Sequence, residues 1–283
     1  MLYQFSGRSI DFDQPKVMGV LNVTPDSFYD GGALYSSGRL NLDLAIDRAA
    51  VMVGEGADFI DVGGESTRPG ADPVDSQEEV DRVLPVVVAI SKRLDVVISI
   101  DTSTAQVMTE AVASGAALIN DVRALQRPGA LQAAVAAGVP VCLMHMQGAP
   151  IDMQCAPLYD EDVVVEVSAF LQQRIDACVA AGIPAGRLLV DPGFGFGKTD
   201  HHNIRLLKKL EELTLWGMPL LVGLSRKSMI GRLLERDTYD RLPASLALAL
   251  AAVSRGANIL RVHDVAATVD VIKINQLLSE SEG

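Results

Sequence analysis

What this chain has little of narrows its reading first. Its 283 residues include only three cysteines, Cys142, Cys155 and Cys178. The odd count and the absence of any CxxC pair speak against a disulfide framework and against a zinc site. Positive charge is short as well: 24 Lys and Arg against 36 Asp and Glu leave a net charge of −12. An acidic surface of this kind argues against nucleic acid, whose phosphates must be met by Lys and Arg. Any anionic substrate must then find a local cluster of cations. No uncharged apolar stretch is long enough to read as a membrane-spanning helix. The opening MLYQFSGRSIDF has no basic region leading into an apolar run, so no secretory signal is expected there. The expectation is a cytoplasmic protein whose partners are neither membranes nor nucleic acids. No segment has a linker's composition, which implies one domain over 1–283.

Hydrophobic residues make up 49% of the chain, enough for a sizeable core, and the length suits an α/β barrel of about 250 residues. Eight short runs rich in β-branched residues read as strands: 17–21, 59–62, 96–100, 118–119, 139–144, 188–190, 220–224 and 259–262. They are continuously apolar rather than alternating, as parallel strands covered on both faces are. Helical patterns lie between them. One covers 160–181, with Val163, Val167, Phe170, Arg174 and Cys178 at helical spacing. Another, 242–254, is apolar almost all round and is expected to be well buried. Gly56, Gly115, Gly138, Gly182 and Gly256 each follow a helix and precede a strand, as C-cap glycines do. Eight strand–helix units predict a closed (β/α)8 TIM barrel, with a doubly wound sheet as the alternative. Residues 1–16 stand outside the count and are expected to form a hairpin or cap at the barrel's bottom.

A barrel keeps its chemistry at the C-terminal ends of its strands. In chain order those ends deliver Asn22, Asp61, Asp101, Asn120-Asp121, His145, Asp191, Ser225-Arg226-Lys227-Ser228 and Arg261-Val262-His263. Each alone could mark where a strand leaves the core; together they predict one wet cavity. Asp101 and Asp191 suit the adjacent N–H and amino donors of a pterin or guanine edge, which a carboxylate binds bidentately. Asn120 offers a donor and an acceptor. Arg68, Arg226, Lys227 and Arg261 would bring positive charge to an anion.

Two features look more meaningful than they are. DPGFGFGKT resembles a phosphate-binding loop, but GxxxxGK[ST] needs a glycine where Pro192 stands. We read it as a flexible, lid-like loop carrying Phe194 and Phe196. His201-His202 lacks a third ligand at metal-binding spacing, so a solvated helix start is expected.

The motifs VMGVLNVTPDSF, DVGGESTRPGA, ISIDTS, LINDVRAL, VCLMHMQG, LLVDPGFGFGK, LVGLSRKSMIG and ILRVHDV, in this order over nearly the whole chain, resemble the dihydropteroate synthase family. The resemblance implies a TIM barrel that condenses 6-hydroxymethyl-7,8-dihydropterin pyrophosphate with p-aminobenzoate in folate biosynthesis. It implies a pterin pocket of Asp101, Asn120, Asp191 and Lys227, with Met144 packing on the ring. It implies a pyrophosphate site of Asn22, Arg261 and His263, with Asn22 reaching Mg2+. It places Phe28, Thr67, Arg68, Pro69, Phe196 and Ser228 on the p-aminobenzoate side. Asp101, Lys227, Arg261 and His263 are the residues it implies for catalysis, and a homodimer is the implied assembly. Tyr29 and Thr104-Ala105 depart from the family's usual pattern beside two of the motifs.

The residues are chemically suited to that reaction. Pyrophosphate leaves well once Mg2+, Arg261 and His263 balance its charge. Two other readings share part of the pattern: a pterin-binding methyltransferase passing a methyl group to a corrinoid, and a silent paralogue that only binds a pterin. The methyltransferase would not need the STRPG and SRKS loops or an Arg–His pair, and the intact Arg68, Lys227, Arg261 and His263 speak against the silent paralogue.

Overall fold

Eight parallel strands hydrogen-bond in chain order around a ring. The computed structural model describes residues 1–25, 35–36, 39–68 and 70–280. Its barrel strands are Lys16–Asn22, Phe59–Gly63, Val97–Asp101, Leu118–Asp121, Val141–Met144, Leu188–Asp191, Leu221–Val222 and Ile259–Val262. The eighth returns to the first, with Ile259 opposite Lys16. The sixth and seventh meet through one parallel bridge, Val190 to Leu220, which closes the ring. The chain is therefore a (β/α)8 barrel and not an open doubly wound sheet.

All residues of the second to sixth strands are buried. That is why they read as mainly apolar runs, with polar residues such as Asp101, Asn120 and Asp191 towards their ends: helices cover the outside and packed side chains fill the inside. The fifth strand begins at Val141 rather than at 139, after Pro140, which has no N–H to give to a ladder. The seventh shrinks to two residues, with Gly223 following it.

The helix foreseen at 160–181 runs Val163–Ala180, started by the Asp162 carboxylate accepting from the Val164 N–H at 2.9 Å. The glycines foreseen between helix and strand all have positive φ. At Gly115, with φ +119°, a Cβ would also lie 2.6 Å from the Ser91 Cβ, so backbone geometry and space both demand glycine. The helix Leu242–Val253 corrects an expectation. Only Ser245, Ala249 and Ala252 are buried, and Leu250 is 38% exposed. A helix apolar all round packs one stripe on its own barrel and leaves apolar side chains such as Leu250 on the other.

At the N-terminal end of the barrel, strands Leu2–Phe5 and Arg8–Asp11 form an antiparallel hairpin. Tyr3, Phe5 and Phe12 pack on Met18, Phe59, Val97, Leu118, Leu189, Leu221 and Ile259, which lie near the starts of the barrel strands. Phe5 meets Phe59 edge-on at 5.2 Å between ring centroids, and the Tyr3 hydroxyl donates to the Leu188 carbonyl at 3.1 Å. This aromatic plug fills the bottom of the barrel. Among the described residues no helix is long and apolar enough to cross a membrane.

Candidate active site

The rim at the C-terminal strand ends holds a cavity of about 420 Å³. Asn22, Thr67, Arg68, Asp101, Asn120, Met144, Asp191, Phe196, Lys227, Ser228, Arg261 and His263 all line it. Phe28, Tyr29 and Pro69 lie outside the described residues. The barrel explains the convergence: residues far apart in sequence end parallel strands at one level.

Arg261 is the electrostatic hub. Its Nε donates to Asp61 Oδ2 at 2.6 Å and its Nη2 to Asp101 Oδ2 at 2.8 Å. Asn120 Nδ2 donates to the same Asp61 oxygen at 3.1 Å. Burial alone would lower the Arg261 pKa, but Asp61 and Asp101 outweigh it and hold the guanidinium above its ordinary value. Asp101 is pushed up to about 7 by burial, with Asp61, Asp121 and Glu79 adding to the effect of burial and Arg261 opposing it. Asp191 is pushed up to about 6, again by burial, although the Gly193 N–H donates to its Oδ1 at 2.7 Å. Lys227 is drawn down to about 8 by burial and by Arg261, and its Nζ sits 4.3 Å from the centre of the Phe196 ring.

Three expectations need correction. Arg226 does not bring free charge to an anion: its Nε and Nη2 grip the two oxygens of Asp264 at 2.8 and 2.7 Å, and its Nη1 donates to the Thr238 carbonyl. It fixes the seventh loop to the eighth. Nor does His263 carry charge in the free protein. Burial, then Arg261, lowers its pKa to about 3, so it is a neutral ring whose Nδ1 lies 3.0 Å from Ser225 Oγ. The loop after the sixth strand is not a loose lid. Phe194 and Lys198 are buried, the Gly195 N–H donates to Asn203 Oδ1 at 2.7 Å, and the Tyr159 hydroxyl donates to the Gly197 carbonyl at 2.9 Å. Its glycines allow the backbone to turn back on itself, and buried polar groups then hold it. His202 behaves as expected, completing a capping box with Thr199 at a helix start.

Some site residues were not assigned from sequence. Asp61 stood in an apolar strand as one more rim residue, yet it is 0% exposed and accepts from both Arg261 and Asn120. Its other oxygen, Oδ1, takes no hydrogen bond among the described residues. A carboxylate inside an apolar run is itself the signal, because such a charge is buried only against a partner. Glu65, also lining the cavity, accepts from Arg123 and Arg127 at 3.0 Å each, while the buried Glu79 accepts from Thr102 at 2.5 Å and Thr104 at 2.6 Å. This network ties the second, third and fourth strand ends together. Nothing in the spacing of these residues announces it.

Residues 18–263 match the family described as pterin binding enzyme. Dihydropteroate synthase of Escherichia coli K12 is 53% identical over 268 residues, covering 95% of this chain and 93% of the relative. The chain belongs to the dihydropteroate synthase family. The family's enzyme from Haemophilus influenzae is 52% identical over 96% of both chains. Among solved structures, Yersinia pestis dihydropteroate synthase in complex with a sulfonamide drug superposes with a TM-score of 0.94 at 51% identity, covering 99% of this chain and 100% of that one. Xanthomonas albilineans dihydropteroate synthase with 4-aminobenzoic acid gives 0.90 at 48% identity over 98% of each chain.

Proposed function

We propose that this chain condenses 6-hydroxymethyl-7,8-dihydropterin pyrophosphate with p-aminobenzoate, giving 7,8-dihydropteroate and pyrophosphate. The observation that carries the reading is the convergence of Asp101, Asn120, Asp191 and Lys227 with Arg261 and His263 around one cavity, in a chain about half identical to dihydropteroate synthases. Asp191 and Asn120 offer acceptors and a donor to the pterin edge, and Met144, 3% exposed, offers it an apolar face.

The reaction breaks the bond between the pterin methylene and the pyrophosphate oxygen. It forms a bond from that carbon to the amine nitrogen, which gives up one proton. We infer a dissociative order, in which pyrophosphate departs first and leaves a cationic methylene conjugated to the dihydropterin. The ionised Asp101 carboxylate would stabilise that cation. Arg261 and His263 would hold the leaving pyrophosphate, His263 as a neutral hydrogen-bond donor. The aniline amine needs positioning more than deprotonation, and Thr67, Arg68, Phe196 and Ser228, with Phe28 and Pro69, are the residues we assign to it.

Mg2+ fits this site in kind. Mg2+ is held by few protein oxygens, usually those of one or two carboxylates, and keeps water and substrate phosphates in its shell. Among the described residues no cluster of three His, Cys, Asp or Glu stands ready for a metal, so the substrate's own phosphates would supply the rest. Asn22 ends the first strand in the cavity, and its Oδ1 lies over the bare backbone of Gly63, where a Cβ would come within 3.5 Å. When bound there with the substrate, Mg2+ would offset charge on the departing pyrophosphate.

We also assign the protein to the cytoplasm, as a homodimer and a sulfonamide target. The exposed Leu233, Leu234 and Leu250 support a covering partner. The deciding experiment is pyrophosphate release from the pterin substrate with and without p-aminobenzoate, with dihydropteroate followed in parallel. Release coupled to dihydropteroate supports the reading. Pterin binding with neither product would identify a silent binder, and methyl transfer to a corrinoid would identify the other rival.

A further inference from the structure

Lys198, the lysine of the loop that mimics a phosphate-binding motif, is 0% exposed. Among the described residues no carboxylate lies within ion-pair distance of it. Its ammonium is instead enclosed by neutral acceptors: His145 Nδ1 at 2.8 Å, the Gly193 carbonyl at 2.8 Å and the Phe196 carbonyl at 3.1 Å, with the His145 carbonyl at 3.5 Å. An ammonium has three N–H donors, and three close acceptors use them fully. The imidazole can accept because burial, then the charge of Lys198 itself, keeps His145 neutral. Burial draws the Lys198 pKa down to about 7, with Asp191 opposing the shift and Lys227 adding to it, so the ammonium these acceptors hold is the form present below that pH. Burying a lysine without a direct counter-ion is costly, so its presence here calls for a use.

We infer that Lys198 is a positioning residue for the condensation reaction: its ammonium is the internal template on which the 193–198 loop closes, setting Phe196 and Gly193 against the pterin-side groups. The geometry links it to the site twice. The Gly193 peptide accepts from Lys198 through its carbonyl and donates through its N–H to Asp191 Oδ1 at 2.7 Å. The Phe196 carbonyl accepts from Lys198 while its ring lies 4.3 Å from Lys227 Nζ. Without the ammonium, the carbonyls of Gly193 and Phe196 and the Nδ1 of His145 would face one another as like dipoles, and the loop would open. The loop is held tightly elsewhere too: a Cβ on Gly193 would lie 1.8 Å from the His145 carbonyl oxygen.

This inference rests on the proposed function, and the test separates the two. Lys198→Ala and Lys198→Met remove the ammonium; alanine leaves space for a small amine, and methionine refills it with a neutral chain. Calorimetry with 6-hydroxymethyl-7,8-dihydropterin reads the loop without turnover, and steady-state kinetics give KM for p-aminobenzoate and kcat. Both variants are expected to keep the native circular dichroism. Both should weaken dihydropterin binding and raise KM for p-aminobenzoate by roughly tenfold, the loss expected for charge-assisted hydrogen bonds. Ethylammonium chloride should restore Lys198→Ala but not Lys198→Met, and choline chloride at equal ionic strength should restore neither. Parent-like binding and KM in either variant, an alanine variant that ethylammonium does not restore, or failure of both variants to fold would each overturn the inference. If the parent binds dihydropterin but releases no pyrophosphate, the functional reading fails, and the calorimetry still decides the role of Lys198.

Discussion

Arg261 Nη2 lies 2.8 Å from Asp101 Oδ2, so the cation assigned to pyrophosphate is already paired with the carboxylate assigned to the pterin. Its Nε is paired with Asp61 as well. Much of its charge is thus offset before any substrate arrives, and the neutral His263 adds none. A bound pyrophosphate needs further positive charge in a chain of net charge −12. Turnover is therefore expected to depend on Mg2+. Assay after exhaustive EDTA treatment, followed by Mg2+ readdition, checks this; full activity in EDTA would refute the metal requirement.

Replacing Asp191 by Ala should weaken pterin binding. The ring's N–H and amino donors would lose their acceptor, at a cost of about 1–3 kcal/mol. Calorimetry with a pterin ligand reads the change, and an unchanged affinity would remove Asp191 from the pocket.

Pterin affinity should also fall in acid. A carboxyl group accepts from two adjacent ring donors with both its oxygens only when ionised. Burial has moved Asp191 up to about 6 and Asp101 up to about 7, so both take up protons as pH drops through 7 and 6. On the alkaline side, Lys227 gives up its proton near 8. The expected profile is highest between these limbs. A dissociation constant that stays flat from pH 8 down to 5 would contradict the assignment of both carboxylates.

p-Aminobenzoate is expected to bind weakly to the free protein and much more tightly once pyrophosphate and a dihydropterin are present. Thr67, Arg68, Phe196 and Ser228 line the same cavity as Arg261, His263 and Asp191, so bound pyrophosphate and dihydropterin would form part of the wall against which p-aminobenzoate is positioned. Titrations into free and pre-loaded protein decide it, with equal affinities pointing to a preformed pocket.

Phe5→Ala should destabilise the fold by roughly 3–5 kcal/mol, as truncation of a buried Phe does. Phe5 is 0% exposed in the bottom plug, away from the cavity-lining groups. Thermal unfolding should shift strongly while KM values measured at low temperature stay near those of the parent. A large KM change would mean that the plug and the rim are coupled.

The sequence by itself determined the eight strand–helix units and the polar residues at their ends, while the strand order and the Val190–Leu220 bridge that closes the ring came from the tertiary structure. Short apolar runs such as 17–21 read as strands covered on both faces, and glycines such as Gly115 marked where helices had to stop. Strand ends then located Asp101, Asn120, Asp191 and Arg261, because a parallel barrel brings its strand ends to one level. Tertiary structure alone decided which charges are spent on one another. Arg226 and Arg261 look alike as cations in sequence, yet one grips Asp264 and the other bridges Asp61 and Asp101. Whether His263 carries charge, and whether a glycine-rich loop is loose or stapled by Lys198, depended equally on burial and on partners distant in the chain. The physical reason is range. Periodicity and capping are local properties that neighbouring residues impose, whereas hydrogen-bond pairing and desolvation at a rim are set by residues as much as 200 positions apart, as Asp61 and Arg261 are.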